Sequence, residues 1–256
     1  MQKEIQWLLQ EKYNGKLTAA AKRDIKKLEA GEPLDFLIGF VEFLGCKIDL
    51  SKRPLIPRFE TEFWVERAID DINRDFGGVQ NRAPKILDIF SGSGCIGIAV
   101  LKHVKGVHVT FADSEKNTIE QIRKNIKINY SPIRANRRIV KGYQVIETDV
   151  FSNIKGKFDY ILANPPYIPL DKKHKVQKSA LDHEPHAALF GGRDGLFFVR
   201  KFLAEAKNFL NPNARIYMEF DSHQKAAIQK LLKKYGYKKA EFHKDQYGKW
   251  RYLVVI

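Results

Sequence analysis

Asn164-Pro165-Pro166-Tyr167 brings two acceptors, a stiff backbone and an aromatic face together in four residues. The apolar run before it, Phe158-Asp159-Tyr160-Ile161, reads as a buried strand, so the tetrapeptide falls where that strand ends. Open α/β sheets keep their ligand sites at that edge. Two prolines remove two backbone donors and fix φ, which stiffens the turn and leaves the Pro165 carbonyl outside any regular ladder. Asn164 Oδ1 and the Pro165 carbonyl can then accept the two hydrogens of a planar NH2 group, with Tyr167 as a face for its plane. An amide nitrogen is a poor nucleophile because its lone pair is delocalised. Two acceptors orient it and stabilise the positive charge that grows as it attacks an electrophilic carbon. An amide or an exocyclic amine fits such a site. Read alone, the tetrapeptide is equally well a tight turn with a packing tyrosine.

The elements that must position this turn begin at Lys85 with a β-α-β pattern. Ile86-Leu87-Asp88-Ile89-Phe90 is a strand, Ser91-Gly92-Ser93-Gly94-Cys95 a turn of small residues, and Ile96-Gly97-Ile98-Ala99-Val100-Leu101 the opening of a helix. A second strand over 107–112 ends at Asp113, roughly 20 residues past the glycine turn, where an acid that accepts both ribose hydroxyls is expected. The glycines allow close approach of backbone to ligand, so the ligand reads as a nucleoside. Which one stays open at this point, because Gly92-x-Gly94-x-x-Gly97 also matches the bare dinucleotide pattern. A third strand over 144–148 ends at Asp149-Val150-Phe151, with Asp149 placed for an adenine amino group and Val150 or Phe151 for its ring. The fourth strand delivers Asn164 to the same edge.

Around this centre the chain reads as α/β. Residues 17–30 form a helix with Thr18 as N-cap and Gly31 as its stop, and Leu17, Ala21, Ile25 and Leu28 make one apolar stripe. Alternation over 41–50 predicts a short hairpin that joins this helical lobe (1–50) to the main domain (51–256). A helix is expected over 61–72, capped by Thr61, with Arg58 and Glu60 reading as a surface pair. Residues 77–82 read as a polar linker. Further expected elements are a buried helix from Leu196, a strand over 214–220, a helix over 225–235 and a closing pair of strands, 240–243 and 252–256.

The chain is long enough for one sizeable core, and a net charge of +15 favours a polyanionic neighbourhood such as RNA or the ribosome. Two cysteines, Cys46 and Cys95, suggest neither a disulfide framework nor a zinc site and point to a reducing cytosol. The charged start lacks a signal-peptide core, and no stretch reaches transmembrane length.

Taken together these residues resemble the class I S-adenosylmethionine-dependent methyltransferases, and within them the release factor glutamine methyltransferases. The resemblance is carried by 31–39, by Leu55-Ile56-Pro57-Arg58-Phe59-Glu60-Thr61-Glu62, by the turn from Asp88 to Gly97, by Asn164 to Pro169, and by the run from Glu184-Pro185 to Gly191-Gly192-Arg193-Asp194-Gly195-Leu196. It implies a Rossmann-like seven-stranded sheet with helices on both faces and an antiparallel last pair, preceded by the small helical lobe. It further implies that Phe90, Ser91, Gly92, Ser93 and Gly94 line the methionine end of S-adenosylmethionine. Asp113 would hold its ribose, Asp149 and Val150 would lie by its adenine, and Asn164 would border it. Asn164, Pro165, Pro166 and Tyr167, with Arg58 and Glu60, would hold the substrate glutamine. The substrate so implied is the Gly-Gly-Gln loop of a peptide chain release factor, and the enzyme is expected to be cytoplasmic and monomeric. Phe90 stands where the family has its first glycine, Val150 where a larger neighbour of adenine is common, and Asp221 where a glycine is usual.

Two other readings share part of the signal. The Asn-Pro-Pro-Tyr turn also serves nucleic-acid amine methylases such as adenine-N6 enzymes, and the basic charge suits them, although no target-recognition region of the usual size is visible. A non-catalytic RNA-binding protein on the same scaffold is the other. His183 and His186 flank Pro185 and cannot share a helical face as metal ligands, so no metal is expected. Cys95 at a helix start has a possible lowered thiol pKa but reads as a packing residue. Lys172 to Lys175 and Arg134 to Arg138 read as solvated basic loops, with RNA contact as the sharper alternative. Phe197 and Phe198 read as core.

Overall fold

The computed structural model describes residues 1–77, 82–130 and 142–256. Three helices come first: α1 (Gln2–Tyr13), α2 (Ala19–Glu29) and α3 (Leu34–Ile38). Thr18 Oγ1 accepts from Ala21 N at 3.1 Å, and Gly31, at φ +97°, follows the C-cap of α2, as the sequence predicts. Leu17 does not join the stripe, because it precedes the cap and is exposed. Leu28 and Ile25 instead close on Leu8 and Leu37 in a small separate core. Asp24, largely buried, ties α2 to α1 by accepting from Lys12 Nζ (2.7 Å) and Tyr13 Oη (2.6 Å).

The hairpin β1 (Phe40–Phe43) and β2 (Cys46–Asp49) follows. The chain then runs through α4 (Phe59–Phe76), β3 (Lys85–Ile89), α5 (Cys95–His103), β4 (His108–Asp113), α6 (Lys116–Tyr130), β5 (Tyr143–Glu147) and β6 (Phe158–Ala163). Next come α7 (Lys178–His183), α8 (His186–Leu189), α9 (Phe197–Glu205), β7 (Leu210–Glu219), α10 (Lys225–Lys234), β8 (Ala240–Lys244) and β9 (Trp250–Val255). Phe43, Cys46, Ile48 and Leu50 of the hairpin enter the main core, and Asn125 Oδ1 of α6 accepts from Asp49 N at 2.8 Å.

Among the described residues seven strands form one sheet in the order β5-β4-β3-β6-β7-β9-β8. β3 to β7 run parallel, and β9 and β8 add the antiparallel edge. From β3 the chain steps outward through β4 and β5, then crosses back to β6 on the other side. Connections diverge at such a reversal and leave a crevice beyond the strand ends. Both faces are covered, so β6 is buried at all six positions rather than alternating with solvent. Tyr160 and Leu162 pack with Trp64, Ile98 and Ile122 on one face, while Ile161 and Ala163 pack with Val199, Phe202 and Ile228 on the other.

Two expected helices differ from the structure. α4 starts at Phe59 and runs to Phe76, with Arg58 at the N-cap position and no side-chain cap, so Thr61 is not the cap. Glu60 and Glu62 in its first turn favour the positive end of the helix, which lets it begin earlier. α9 buries Val199, Phe202 and Leu203 but leaves Phe197 at 55% exposure, so Phe197 is not core, while Phe198 is half-buried and packs against the core's edge. Among the described residues no helix is long and apolar enough to cross a membrane.

Candidate active site

The loops after β3, β4, β5 and β6 meet at the carboxyl edge of the sheet and line one cleft. It holds Phe90, Gly92, Asp113, Asp149, Val150 and Asn164 together. The glycine turn is built from the backbone outward. Ser91 Oγ donates to the Asp88 carbonyl (2.7 Å) and accepts from Ala112 N (2.9 Å), pinning the turn between β3 and β4. The Ser93 carbonyl accepts from Asn125 Nδ2 at 2.9 Å. Gly92 N donates to Asp113 Oδ2 at 2.9 Å, and a side chain added at Gly92 would meet nothing within 4 Å, so the backbone there faces open space. Partial burial raises the Asp113 carboxyl above its usual range, while the Gly92 and Glu115 amides hold its charge.

Phe90 has φ +60°, the left-handed conformation that costs a non-glycine residue about 1–2 kcal/mol. Its ring repays that strain in the helix layer, edge-on to Phe198 at 5.9 Å and against Phe202 at 6.3 Å, and it does not close the cleft it borders. Val150 is likewise at φ +55°, an outlier for a β-branched residue and a mark of a site under constraint. Asp149 is exposed and paired with Lys201 Nζ at 2.5 Å. Phe151 is unavailable as a ring partner for a ligand, because it stacks on Phe209 at 4.6 Å inside the core. Phe198 takes that place on the cleft wall.

A second compartment lies across Asn164, lined by Leu55, Arg58, Pro165, Tyr167, Ala188 and Glu219. Asn164 borders both compartments. Its Nδ2 donates to Thr61 Oγ1 at 3.2 Å, and among the described residues no donor reaches Asn164 Oδ1 or the Pro165 carbonyl. Tyr167 Oη donates to Glu219 Oε1 at 3.1 Å, and burial with the Glu219 charge beside it pushes its pKa far up, so it remains a phenol. The turn is seated by its neighbours in space. Ile168 N donates to Leu189 O, Gly191 N to Ile168 O, and Gln224 Nε2 to Tyr167 O at 2.9 Å. Gly195, at φ +74°, leaves room for this, since a Cβ there would stand 2.2 Å from the Tyr167 carbonyl.

The expected Arg58–Glu60 pair does not form. Arg58 donates to Glu184 Oε1 at 2.5 Å, Glu184 Oε2 accepts from Ile56 N at 3.1 Å, and Glu60 instead faces Arg251 at 4.0 Å. Burial of Glu184 decides this, because a buried carboxylate must find partners while an exposed one can remain in water. Glu60 borders neither compartment described above.

Burial lifts the Cys95 thiol to about 12, so no lowered thiol pKa arises at that helix start. His186 Nε2 meets the Leu181 carbonyl at 2.9 Å. Among the described residues no three His, Cys, Asp or Glu side chains gather as a metal site. Residues 170–175 form an exposed 3-10 turn; 134–138 and most of the 77–82 linker lie outside the described residues.

Asp88, Thr61, Glu184, Glu219 and Gln224 are site residues that sequence reasoning passed over. A signal existed for two of them, since Asp88 and Glu219 are lone acids within apolar strands, where an acid must be compensated. Asp88 is fully buried, with Oδ2 accepting from Gly97 N at 2.9 Å and Oδ1 without a partner among the described residues. Burial raises its carboxyl to about 7. The folded chain therefore holds a proton on Asp88 that the unfolded chain releases near pH 4, and this stabilising contribution fades as pH rises through about 7. Asp88→Asn should raise the melting temperature more at pH 8 than at pH 5, as measured by thermal unfolding at both; an equal effect at the two pH values would contradict the buried-acid account.

Sheet order, crevice and glycine turn define the Rossmann-like methyltransferase class. A model of the methyltransferase small domain matches residues 78–189. The N-terminal domain of human METTL16, solved in complex with SAH, has the same fold, with a TM-score of 0.57 at 15% identity over 82% of this chain and 75% of that one. A release factor glutamine methyltransferase of Lactococcus lactis is 31% identical over 98% of this chain and 88% of its own length. A second, from Borreliella burgdorferi, is 33% identical over 90% and 75%. The chain belongs to the release factor glutamine methyltransferase family.

Proposed function

We propose that the protein transfers a methyl group from S-adenosylmethionine to the N5 nitrogen of a glutamine side chain in the Gly-Gly-Gln loop of a peptide chain release factor. The observation that carries this reading is Asn164. Its amide nitrogen is engaged by Thr61, which leaves Oδ1 and the neighbouring Pro165 carbonyl as two unshared acceptors between a glycine-and-acid cleft and a second compartment. The open space at Gly92 and the Asp113 carboxylate beside it fit a nucleoside cofactor. In this reading Gly92 and Gly94 approach the methionine end, Asp113 accepts the ribose hydroxyls, and Asp149 and Val150 flank the adenine. When bound, S-adenosylmethionine supplies an electrophilic methyl carbon on a sulfonium.

Asn164 Oδ1 and the Pro165 carbonyl accept the two amide hydrogens, hold the nitrogen's plane against Tyr167 and offset the charge that develops there. Tyr167 is not a base, since it keeps its proton and donates it to Glu219. The proton on nitrogen needs no strong acceptor after transfer, because a protonated amide is acidic enough to release it to water. Arg58 and Pro166 would frame the peptide, and the N-terminal helical lobe (1–50) would dock the release factor. The enzyme would act as a monomer in the cytosol, with the excess of basic residues keeping it near ribosomes or RNA.

Asp113→Ala should weaken S-adenosylmethionine binding by roughly 10- to 100-fold, the scale of losing one hydrogen bond to a charged acceptor, with water replacing the rest. Isothermal titration reads this, and unchanged affinity would remove the ribose role. The reading as a whole is tested by incubating the protein and methyl-labelled cofactor separately with a release factor, its Gln→Ala variant, tRNA, rRNA and DNA. Label on the intact release factor alone supports it. Label on nucleic acid would favour an amine methylase of nucleic acids, and no cofactor binding would favour a non-catalytic scaffold.

A further inference from the structure

Beside Asn164 stands a chain of polar groups that runs from the wall of the second compartment into α4 and β7. Glu219, at the end of β7 and 1% exposed, accepts on Oε2 from Thr61 Oγ1 and from Trp64 Nε1, each at 2.7 Å, and on Oε1 from Tyr167 Oη. Thr61 is itself 2% exposed and receives Asn164 Nδ2 at 3.2 Å. The proton count along this chain fixes its direction. An indole N–H can only donate and an ionised carboxylate can only accept, while a threonine hydroxyl has one hydrogen. That hydrogen goes to Glu219, so Thr61 can only accept from Asn164. An amide carries NH2 and oxygen in one plane on opposite sides of the Cβ–Cγ axis, so an NH2 drawn to Thr61 turns Oδ1 the other way. The reversed amide would set its oxygen against a hydroxyl lone pair with no hydrogen between them. Burial raises the Glu219 carboxyl above its usual range, and the three donors on its oxygens together with the nearby Arg251 charge oppose that shift and favour the ionised form.

We propose that Thr61 and Glu219 are positioning residues for methyl transfer, fixing the Asn164 side chain with its oxygen toward the substrate nitrogen. This inference rests on the reading of Asn164 as the acceptor for the substrate amide. Thr61 borders neither compartment and acts through Asn164; Glu219, on the wall of the second compartment, has its oxygens taken up by Thr61, Trp64 and Tyr167 and acts through Thr61.

The test is steady-state kinetics on a release factor with Thr61→Val and Thr61→Ser, with cofactor affinity by calorimetry and folding by thermal unfolding. Valine keeps the shape and removes both hydrogen-bond roles. It should lower kcat on the order of 10-fold, the scale of one lost orienting hydrogen bond, and leave the cofactor Kd unchanged. Serine keeps the hydroxyl and should restore most of the loss. In an Asn164→Ala background, Thr61→Val should add no further loss, because no amide remains to orient. A Thr61→Val enzyme at wild-type kcat, a Thr61→Ser enzyme as slow as Thr61→Val, or independent multiplicative losses in the double variant would each overturn the inference. Should Thr61→Val fail to fold, Thr61→Ala takes its place in the same comparison. A wild-type protein that leaves the glutamine unmodified would overturn the proposed function itself, and the positioning role with it, whereas an active wild type with an unaffected Thr61→Val overturns the positioning role alone.

Discussion

Asn164→Ala is expected to lower kcat by on the order of 10²-fold, with cofactor affinity changed far less. The magnitude follows from the effect of removing one preorganised dipole at a reacting centre, which typically costs a factor of 10² to 10³. Asn164 Oδ1 is a side-chain acceptor at the turn that no described donor occupies, and the Pro165 carbonyl beside it cannot be mutated away. Alanine would also leave Thr61 without its donor, but Thr61 keeps its bond to Glu219, so the fold should persist. Single-turnover transfer of labelled methyl to a release factor measures the loss. Turnover within a few-fold of wild type would show that the substrate amide is not held there.

Glu219→Leu should damage the fold itself. Leucine is similar in size, yet it strands three buried donors, Thr61 Oγ1, Trp64 Nε1 and Tyr167 Oη, each left at a cost of about 1–3 kcal/mol. Against a typical total stability of about 5–15 kcal/mol this is a large share. For a chain of this size it corresponds to a fall in melting temperature of roughly 10–20 °C. Glu219→Gln should be milder. Its carbonyl oxygen can still accept from Thr61 and Trp64, and its NH2 can meet Tyr167 once that hydroxyl rotates to accept. Calorimetric melting of the two variants gives the comparison, and equal melting temperatures for Gln and Leu would mean that the donors find other partners.

The parts of the site legible in the sequence are those built by consecutive residues. The glycine turn after β3, Asp113 at the end of β4 and the proline-locked turn after β6 each declare themselves by local composition, because a strand that stops and a backbone that must bend leave their mark within a few residues. Helix α2 was legible for the same reason, through Thr18 and Gly31. Thr61 shows where such reading fails. At the start of a helix it looks like a cap, yet the helix begins before it, and a bond to Glu219, 158 residues away in sequence, sets its role. Arg58 fails similarly, since its neighbour Glu60 is near in sequence but its partner Glu184 lies on another loop. Phe197 and Phe198 read as core because they are large and apolar, but the turn into α9 leaves one in solvent and the other on the cleft wall.

By itself the sequence determined the fold class, the edge of the sheet where the cleft lies and the four loops that line it, because buried strands and tight turns are properties of short stretches. Only the tertiary structure decided which way those groups face: that Phe90 accepts a glycine's backbone angle by anchoring its ring, that Phe198 rather than Phe151 walls the cleft, and that a buried glutamate governs the hydroxyl behind Asn164. Direction and protonation depend on partners brought together from distant strands and helices, and burial forces each polar group to find one of them.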